Sequence, residues 1–544
     1  MTSLRQTSLC AALVGLATFS LSAPAAAQHG GDEHGRIAGL LRHWDVVAAE
    51  KALAEQEASG EFDVLMQLMK AKLRFFQGDY DGALGMIDAL QEHVSPDDQE
   101  WNRFVAEVGA AKDETKNHVE VRTPDGHFII RHAPGQDAVL VPLMFDALPK
   151  IRARLGAKFG LLPEHPVIVE VYPTAASLGN VTGLGAEAIE NSGTIAICKF
   201  NRLMITSPAA LVRGYGWLDT LAHEYVHLLV NKLAGPAVPI WLHEGIAKYH
   251  ESFWISEEPP QLHPGQESIV AVALKSDQLI TFDEMSPSMA LLPTPKHTML
   301  AFAEVQTVIE YLLGKFGDDA VRRMLDLLRT GKATDDRAAL SQVTGLSFKA
   351  FERNWRAWLK RKRLKVRKDA GVHAMRFKKS AMPDDLEELD DVDRAIRDHL
   401  KLGDLLRGRG RPKAGLREYE RAQGASGAGV NPLIRTKMAS AHLALNDPES
   451  AIAAVAPVPE LHQGYALAHI LLGRSYLALE RWEEAKVWLR RALGYNPYDQ
   501  AVHRGLQRAC DATADDPCVR RAVTALEALR PAAHGGEEAL EKEP

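Results

Sequence analysis

Two histidines four positions apart, with a glutamate beside the first, stand at His223-Glu224-Tyr225-Val226-His227. On an α-helix that spacing turns the chain through about 400°, so both imidazoles leave one face, one turn apart. Two neutral ring nitrogens so placed can grip one metal ion, and Glu224 is placed to take a proton from a water that the ion activates. The flanking Leu218, Leu221, Ala222, Val226, Leu228, Leu229 and Val230 predict a buried helix, on which polar side chains need a purpose. A third donor is required, and "AGPAVPIWLHEGIAKYHESFW" offers one. Gly235 and Pro236 end the first helix and Pro239 opens a second. Glu244 follows His227 by 17 residues, enough chain to turn and bring the second helix back, and Glu251, seven further on, shares its face. Two histidines and a glutamate, with water in the fourth position, are the donor set of a catalytic zinc rather than a closed structural one, so one Zn2+ per chain is expected.

The elements that must position these residues change period along the chain. Residues 36–115 read as helical, with "AKLRFFQGDYDGALGMIDAL" (Ala71 to Leu90) as two amphipathic runs around a Gly78-Asp79-Tyr80 turn. From Asn117 the pattern alternates: "HVEVRT" and "HFIIRH" flank Pro124-Asp125-Gly126 and predict a hairpin. A helix over Ala138 to Phe159, a strand over His165 to Pro173, and two strands in "GTIAICKF" and "RLMITS" come next, then the His223 helix. Strands followed by helices make an α+β unit. The strand Arg202 to Ser207, just ahead of the His223 helix, is expected to hold an extended peptide by edge pairing. Residues 298–360 return to helix.

"HEYVH" followed by "PIWLHEGIAKYHE" resembles the gluzincin metallopeptidases, with their HExxH … P-x-W-L-x-E-G-x-A-x-Y pattern and peptidase MA-like domain. The resemblance spans about Asn117 to Lys360. It implies a zincin-like fold, zinc ligands at His223, His227 and Glu244, and Glu224 as general base of peptide-bond hydrolysis. Glu251 would orient a ligand histidine. Two departures stand out. His243 occupies the place where many relatives have Asn; it is expected to point to a different helix face from Glu244 and is not assigned as a ligand. Phe302 falls near a tyrosine of several relatives, which leaves the oxyanion-stabilising role to Tyr249, Tyr311 or His297 as candidates.

Toward the C-terminus the chain repeats. Matching Gly403, Ala439 and Gly473 gives steps of 36 and 34 residues and also aligns Gly415, Ala451 and Ala485. This period, with small residues at those points, resembles the tetratricopeptide repeat (TPR), which implies a concave groove for a protein partner or substrate. Ala71 to Leu90 fits the same template, with Ala83 at the helix contact.

At 46% hydrophobic and 25% charged residues the composition is that of a globular protein, and a net charge of −7 argues against nucleic acid as the partner. Arg5, the apolar run Leu9 to Leu21 and "APAAAQ" read as a secretory signal cleaved after Ala27, and no later stretch suits stable membrane insertion. An exported, periplasmic or secreted product is therefore expected. There Cys510 and Cys518 are placed for a disulfide, while Cys198, in "TIAIC", reads as a core residue. A basic run over Lys360 to Lys368 and an acidic run over Asp384 to Asp393 read as a solvated linker.

The expected organisation is a signal peptide (1–27), an N-terminal helical, TPR-like region (28–115), a peptidase domain (116–362), a charged linker (363–392), a TPR domain (393–531) and a disordered tail (532–544). The fold class is α+β, a small sheet plus active-site helices, flanked by all-α repeat regions. The expected function is exported, zinc-dependent hydrolysis of a peptide or protein substrate. The alternative is a zinc-holding scaffold that works through its repeats without turnover.

Overall fold

A computed structural model describes residues 31–367, 369–370, 375–378, 393–427 and 429–530. The expected signal peptide, most of the charged linker and the tail lie outside the described residues. Among those described, no helix is long and apolar enough to cross a membrane.

Five helices open the chain: α1 (Gly31–Arg42), α2 (Val46–Ser59), α3 (Val64–Phe76), α4 (Tyr80–Leu90) and α5 (Gln99–Thr115). Asp63 and Asp79 cap α3 and α4 by accepting the N–H groups of Met66 and Gly82, and Gly78, at φ 72°, makes the turn between them. Ala83 is fully buried where the two helices meet. Phe75, Phe76 and Phe104 fill this core together with Phe200, which arrives from the sheet and stacks on Phe76 at 5.6 Å.

The sheet has five strands: β1 (Val119–Arg122), β2 (Phe128–His132), β3 (Val167–Tyr172), β4 (Ala196–Lys199) and β5 (Arg202–Thr206), in the order β1-β2-β3-β5-β4. β1 and β2 form the expected hairpin; β2, β3 and β5 run parallel, with α6 (Leu140–Phe159), α7 (Ala175–Thr182) and α8 (Ala186–Ser192) in the connections. Every residue of β3 is buried, Glu170 included. That carboxylate is held by Arg202 at 3.1 Å, Arg131 at 3.3 Å and the hydroxyls of Tyr172 and Tyr80, and Tyr80 ties the N-terminal helices to the sheet. A buried charge is tolerated only with such partners.

Arg202 to Ser207 does not offer the free edge expected of it. β5 pairs with β3 on one side and β4 on the other, so β4 is the edge strand at this end of the sheet and β1 at the other. A two-residue turn, Phe200-Asn201, folds β4 back antiparallel, with both residues at positive φ (56° and 62°), the geometry that matches strand twist in a tight hairpin. The aromatic cluster around Phe75 holds Phe200 in that conformation.

α9 (Trp217–Ala234) packs against the sheet and α10 (Ile240–His250) against α9, followed by α11 (Pro264–Lys275), α12 (Pro295–Phe316), α13 (Ala320–Arg329), α14 (Asp336–Thr344) and α15 (Phe348–Arg361). Gly235, at φ 64°, closes α9. Gly245 lets α12 approach α10: a Cβ there would lie 3.1 Å from the Val305 carbonyl and 3.0 Å from Ile309.

The C-terminal helices are α16 (Arg394–Gly408), α17 (Pro412–Ser426), α18 (Pro432–Ala444), α19 (Pro448–Val455), α20 (Pro457–Leu461), α21 (Ala466–Ala478), α22 (Trp482–Leu493), α23 (Gln500–Ala512) and α24 (Asp516–Ala528). They form TPR-like hairpins whose contacts fall on the small residues read from the period. Gly415 sits against the Gly403 carbonyl, Ala439 and Ala451 are fully buried in one cluster, and Ala485 is fully buried behind Gly473. The pair α23–α24 extends the array beyond the three copies recognised in sequence and carries a Cys510–Cys518 disulfide. A Cβ on Gly473 would meet Leu489 at 2.5 Å. Gly473→Val is therefore expected to overpack the contact and cost about 1–3 kcal/mol, read from denaturant unfolding.

The array also returns to the sheet unit. Trp217 donates to the Leu493 carbonyl at 3.0 Å, Tyr215 N–H to the Tyr495 carbonyl at 3.3 Å, and Tyr498 hydroxyl to Asp137 at 2.7 Å. Gly214, at φ 65°, leaves no room for a side chain, because a Cβ would lie 2.1 Å from the Tyr495 carbonyl oxygen.

Candidate metal centre

α9 presents His223 and His227 from one face, and α10 returns Glu244 against them. One ligand atom from each of the three lies within 4.8 Å of the others. Glu244 Oε2 is 3.2 Å from His223 Nε2 and 3.5 Å from His227 Nε2, and the two rings stand edge to face with centroids 4.7 Å apart. The side chains keep 13%, 12% and 17% of their surface exposed, so the point where they converge is reachable. Two imidazole nitrogens and one carboxylate form the donor chemistry of a catalytic zinc, and the residues present fit that ion.

Glu224 lies beside this group, 5% exposed, with Oε2 unpartnered and the backbone of Cys198, on edge strand β4, as a hydrogen-bond partner. Burial raises its pKa above the ordinary glutamate value, against the lowering pull of His227 and His223. Burial opposes charge on His223, yet hydrogen bonds to Glu244 and Glu251 more than offset it and hold its pKa at about 10 in the metal-free chain. Burial likewise works against ionised Glu244, but the charge of His227 and the hydrogen bond from His223 draw its pKa well below the usual range.

Glu251, at the C-terminal end of α10, meets His223 Nδ1 at 3.2 Å and also accepts from Lys248. It turns Nε2 toward Glu244, and on the neutral ring that a metal requires it would keep the proton on Nδ1. Glu251→Ala is expected to weaken zinc affinity by about 10–100-fold, measured by chelator competition.

His243, given no role from sequence, lies against His227. It does not point away: its Nδ1 lies 2.6 Å from Nδ1 of His227, its ring centroid is 4.6 Å distant, and the residue is 9% exposed. Adjacent helical residues diverge by about 100°, but α10 is covered on more than one side by α9 and α12, so both His243 and Glu244 face neighbours. A histidine beside the third donor was the available signal. Burial, and then the nearby His227, push its pKa down to about 3, so it stays neutral.

The oxyanion candidates are not brought to the centre. Tyr311 packs among Phe316, Phe351 and Trp358, Tyr249 against His250 and Phe253, and exposed His297 bonds Thr294. Cys198 is half-buried against the core and burial holds its thiol well above the usual range, as suits a packing residue.

A cavity of about 240 Å3 borders Glu251, Lys248 and Thr220. Part of its wall, Gln463, Gly464, Tyr465 and Tyr495, comes from the repeats, which sequence periodicity gave no reason to place there.

No curated protein matches the chain. Similar solved structures include native yeast LTA4 hydrolase, 11% identical over 75% of this chain and 66% of that one, TM-score 0.28. MamA MSR-1 C2 is 21% identical over 26% of this chain and 86% of that one, TM-score 0.22. The Cut9–Hcn1 hetero-tetramer of the APC/C is 11% identical over 90% of this chain and 78% of that one, TM-score 0.25. His223, Glu224, His227, Glu244 and Glu251 all fall within residues 146–361, and that segment of the chain matches the Peptidase MA superfamily.

Proposed function

We propose that the chain is a zinc-dependent peptidase. The observation that carries this reading is the convergence of His223, His227 and Glu244 beside a buried glutamate with one free oxygen. His223, His227 and Glu244 would hold the ion, which when bound supplies Lewis-acid activation of water and of the scissile carbonyl. Glu224 takes the proton of the attacking water and hands it to the leaving amine, a task for which its raised pKa suits it. Glu251 and His243 hold the two imidazoles by their Nδ1 atoms. β4, the sheet edge beside Glu224, is the surface on which an extended peptide pairs.

Export and recruitment of a protein partner by the repeats belong to the same proposal. The Cys510–Cys518 disulfide supports an oxidising compartment. The test is metal analysis of purified full-length protein with an unbiased peptide-library digest. We expect about one zinc per chain and cleavage that a chelator abolishes. Zinc binding without cleavage of any peptide would favour the scaffold reading, and absence of zinc would overturn the site.

A further inference from the structure

A second cavity, of about 1010 Å3, lies between the sheet unit and the last repeats. One wall is α6 and the stretch 252–256 after α10; the other is built from α21 to α24. It shares Gly216, Asp219, Gln463 and Tyr495 with the smaller cavity beside Glu251. A chain leaving the metal centre past Glu251 therefore has a lined route into it.

His469 of α21 lines this space with 6% of its surface exposed and no hydrogen-bond partner for either ring nitrogen. Its ring lies parallel to Tyr495, centroids 5.4 Å apart at 11°, with Trp488 at 5.7 Å. A buried polar group without partners is costly and calls for an explanation. Burial, and then Arg491, push its pKa down to about 4, so the ring is neutral and offers one N–H and one lone pair. That pair of functions matches the C=O and N–H of an extended peptide backbone.

The charges in the lining are biased. Lys150 and Arg154 of α6 and Arg491 of α22 reach the cavity, and among the described residues none is paired with a carboxylate. Arg154 donates to the Phe253 carbonyl, and Arg491 lies over the Trp488 ring at 4.8 Å. Among the lining acids, Asp146 is 3.9 Å from Arg521, and Asp219 accepts the Trp254 indole N–H at 2.8 Å but keeps its charge, which leaves Asp219 and Glu460 against three cations. In a chain of net charge −7 this is a local reversal of sign.

We propose that this cavity is an exosite for an acidic segment of the polypeptide substrate, with the backbone bonded to His469, apolar side chains on Trp488 and Tyr495, and carboxylates met by Lys150, Arg154 and Arg491. The proposal rests on the peptidase reading for its substrate, but its test does not depend on turnover. Full-length Glu224→Gln protein is titrated into a fluorescein-labelled dodecapeptide rich in glutamate, and into its counterpart with every Glu changed to Gln, with anisotropy as the readout. We expect the acidic peptide to bind at least about tenfold more tightly and to lose that advantage in high salt. Arg154→Glu with Arg491→Glu, both on exposed positions, should abolish the preference. His469→Phe, which keeps the stacking and removes the nitrogens, should weaken both peptides alike by several-fold. Equal affinity for the two peptides, or a preference that survives the charge reversal, overturns the exosite. Wild-type cleavage, without acidic preference, of polypeptides long enough to reach the cavity also overturns it while leaving the peptidase reading intact. Acidic preference in a protein that cleaves no peptide supports the site and removes the peptidase reading.

Discussion

Glu224→Gln is expected to retain its zinc and to lose peptide hydrolysis by about 10²–10⁴-fold, the contribution of a positioned general base. The substitution preserves the size of the side chain, and its amide oxygen can still accept from the Cys198 backbone, so the packing of α9 against β4 is kept. What disappears is the oxygen that accepts a proton, the Oε2 that has no partner in the structure. The neighbouring carboxylates are committed elsewhere: Glu244 sits between the two histidines, and Glu251 is held by His223 and Lys248. No substitute base is therefore at hand. Turnover of a library-derived peptide, measured beside zinc content on the same preparation, checks the outcome. Undiminished turnover by Glu224→Gln would show that the base lies elsewhere.

The centre was legible in sequence because its geometry is local. A spacing of four on one helix fixes His223 and His227 on one face, and Gly235, Pro236 and Pro239 announce the turn that brings Glu244 back. The strands were legible from alternation, but their lateral order was not. β4 and β5 form a hairpin that reads the same whichever strand lies outside, and the parallel pairing of β5 with β3 decides it through contacts far apart in sequence. His243 was missed for a related reason. A helical wheel gives directions, whereas contact depends on which neighbours cover each direction, and α12 packs against α10 through Gly245. The repeat period located Gly403, Gly415, Gly473 and Ala485 because small residues are required wherever two such helices cross. It carries no information about the face the array turns to the rest of the chain. The bonds from Trp217 to Leu493 and from Tyr498 to Asp137, and the Tyr495 wall beside Glu251, therefore emerged only from the fold.

His223→Ala and His227→Ala should each reduce zinc affinity by more than about 100-fold, beyond the range for losing an outer partner, because each removes a donor atom itself. The two variants should nevertheless differ in the metal-free state. The helix that carries them is held by Leu221, Ala222, Val226, Leu228 and Leu229, all fully buried, so neither loss should unfold the protein. His223, however, stands between two carboxylates, 3.2 Å from Glu244 and 3.2 Å from Glu251, and its positive charge compensates them when no ion is bound. His227 touches Glu244 at the longer distance of 3.5 Å and spends its other nitrogen on His243. Removing His223 leaves Glu244 without its closer partner and Glu251 with Lys248 alone. The expected cost is about 1–3 kcal/mol more than for His227→Ala, the penalty of a buried group losing its partner. Denaturant unfolding of both variants in the presence of a chelator measures the difference, and zinc titration with a competing chelator measures the affinities. Equal metal-free stabilities would show that His223 does not compensate the carboxylates, and full zinc occupancy in the double variant would remove the metal centre from α9.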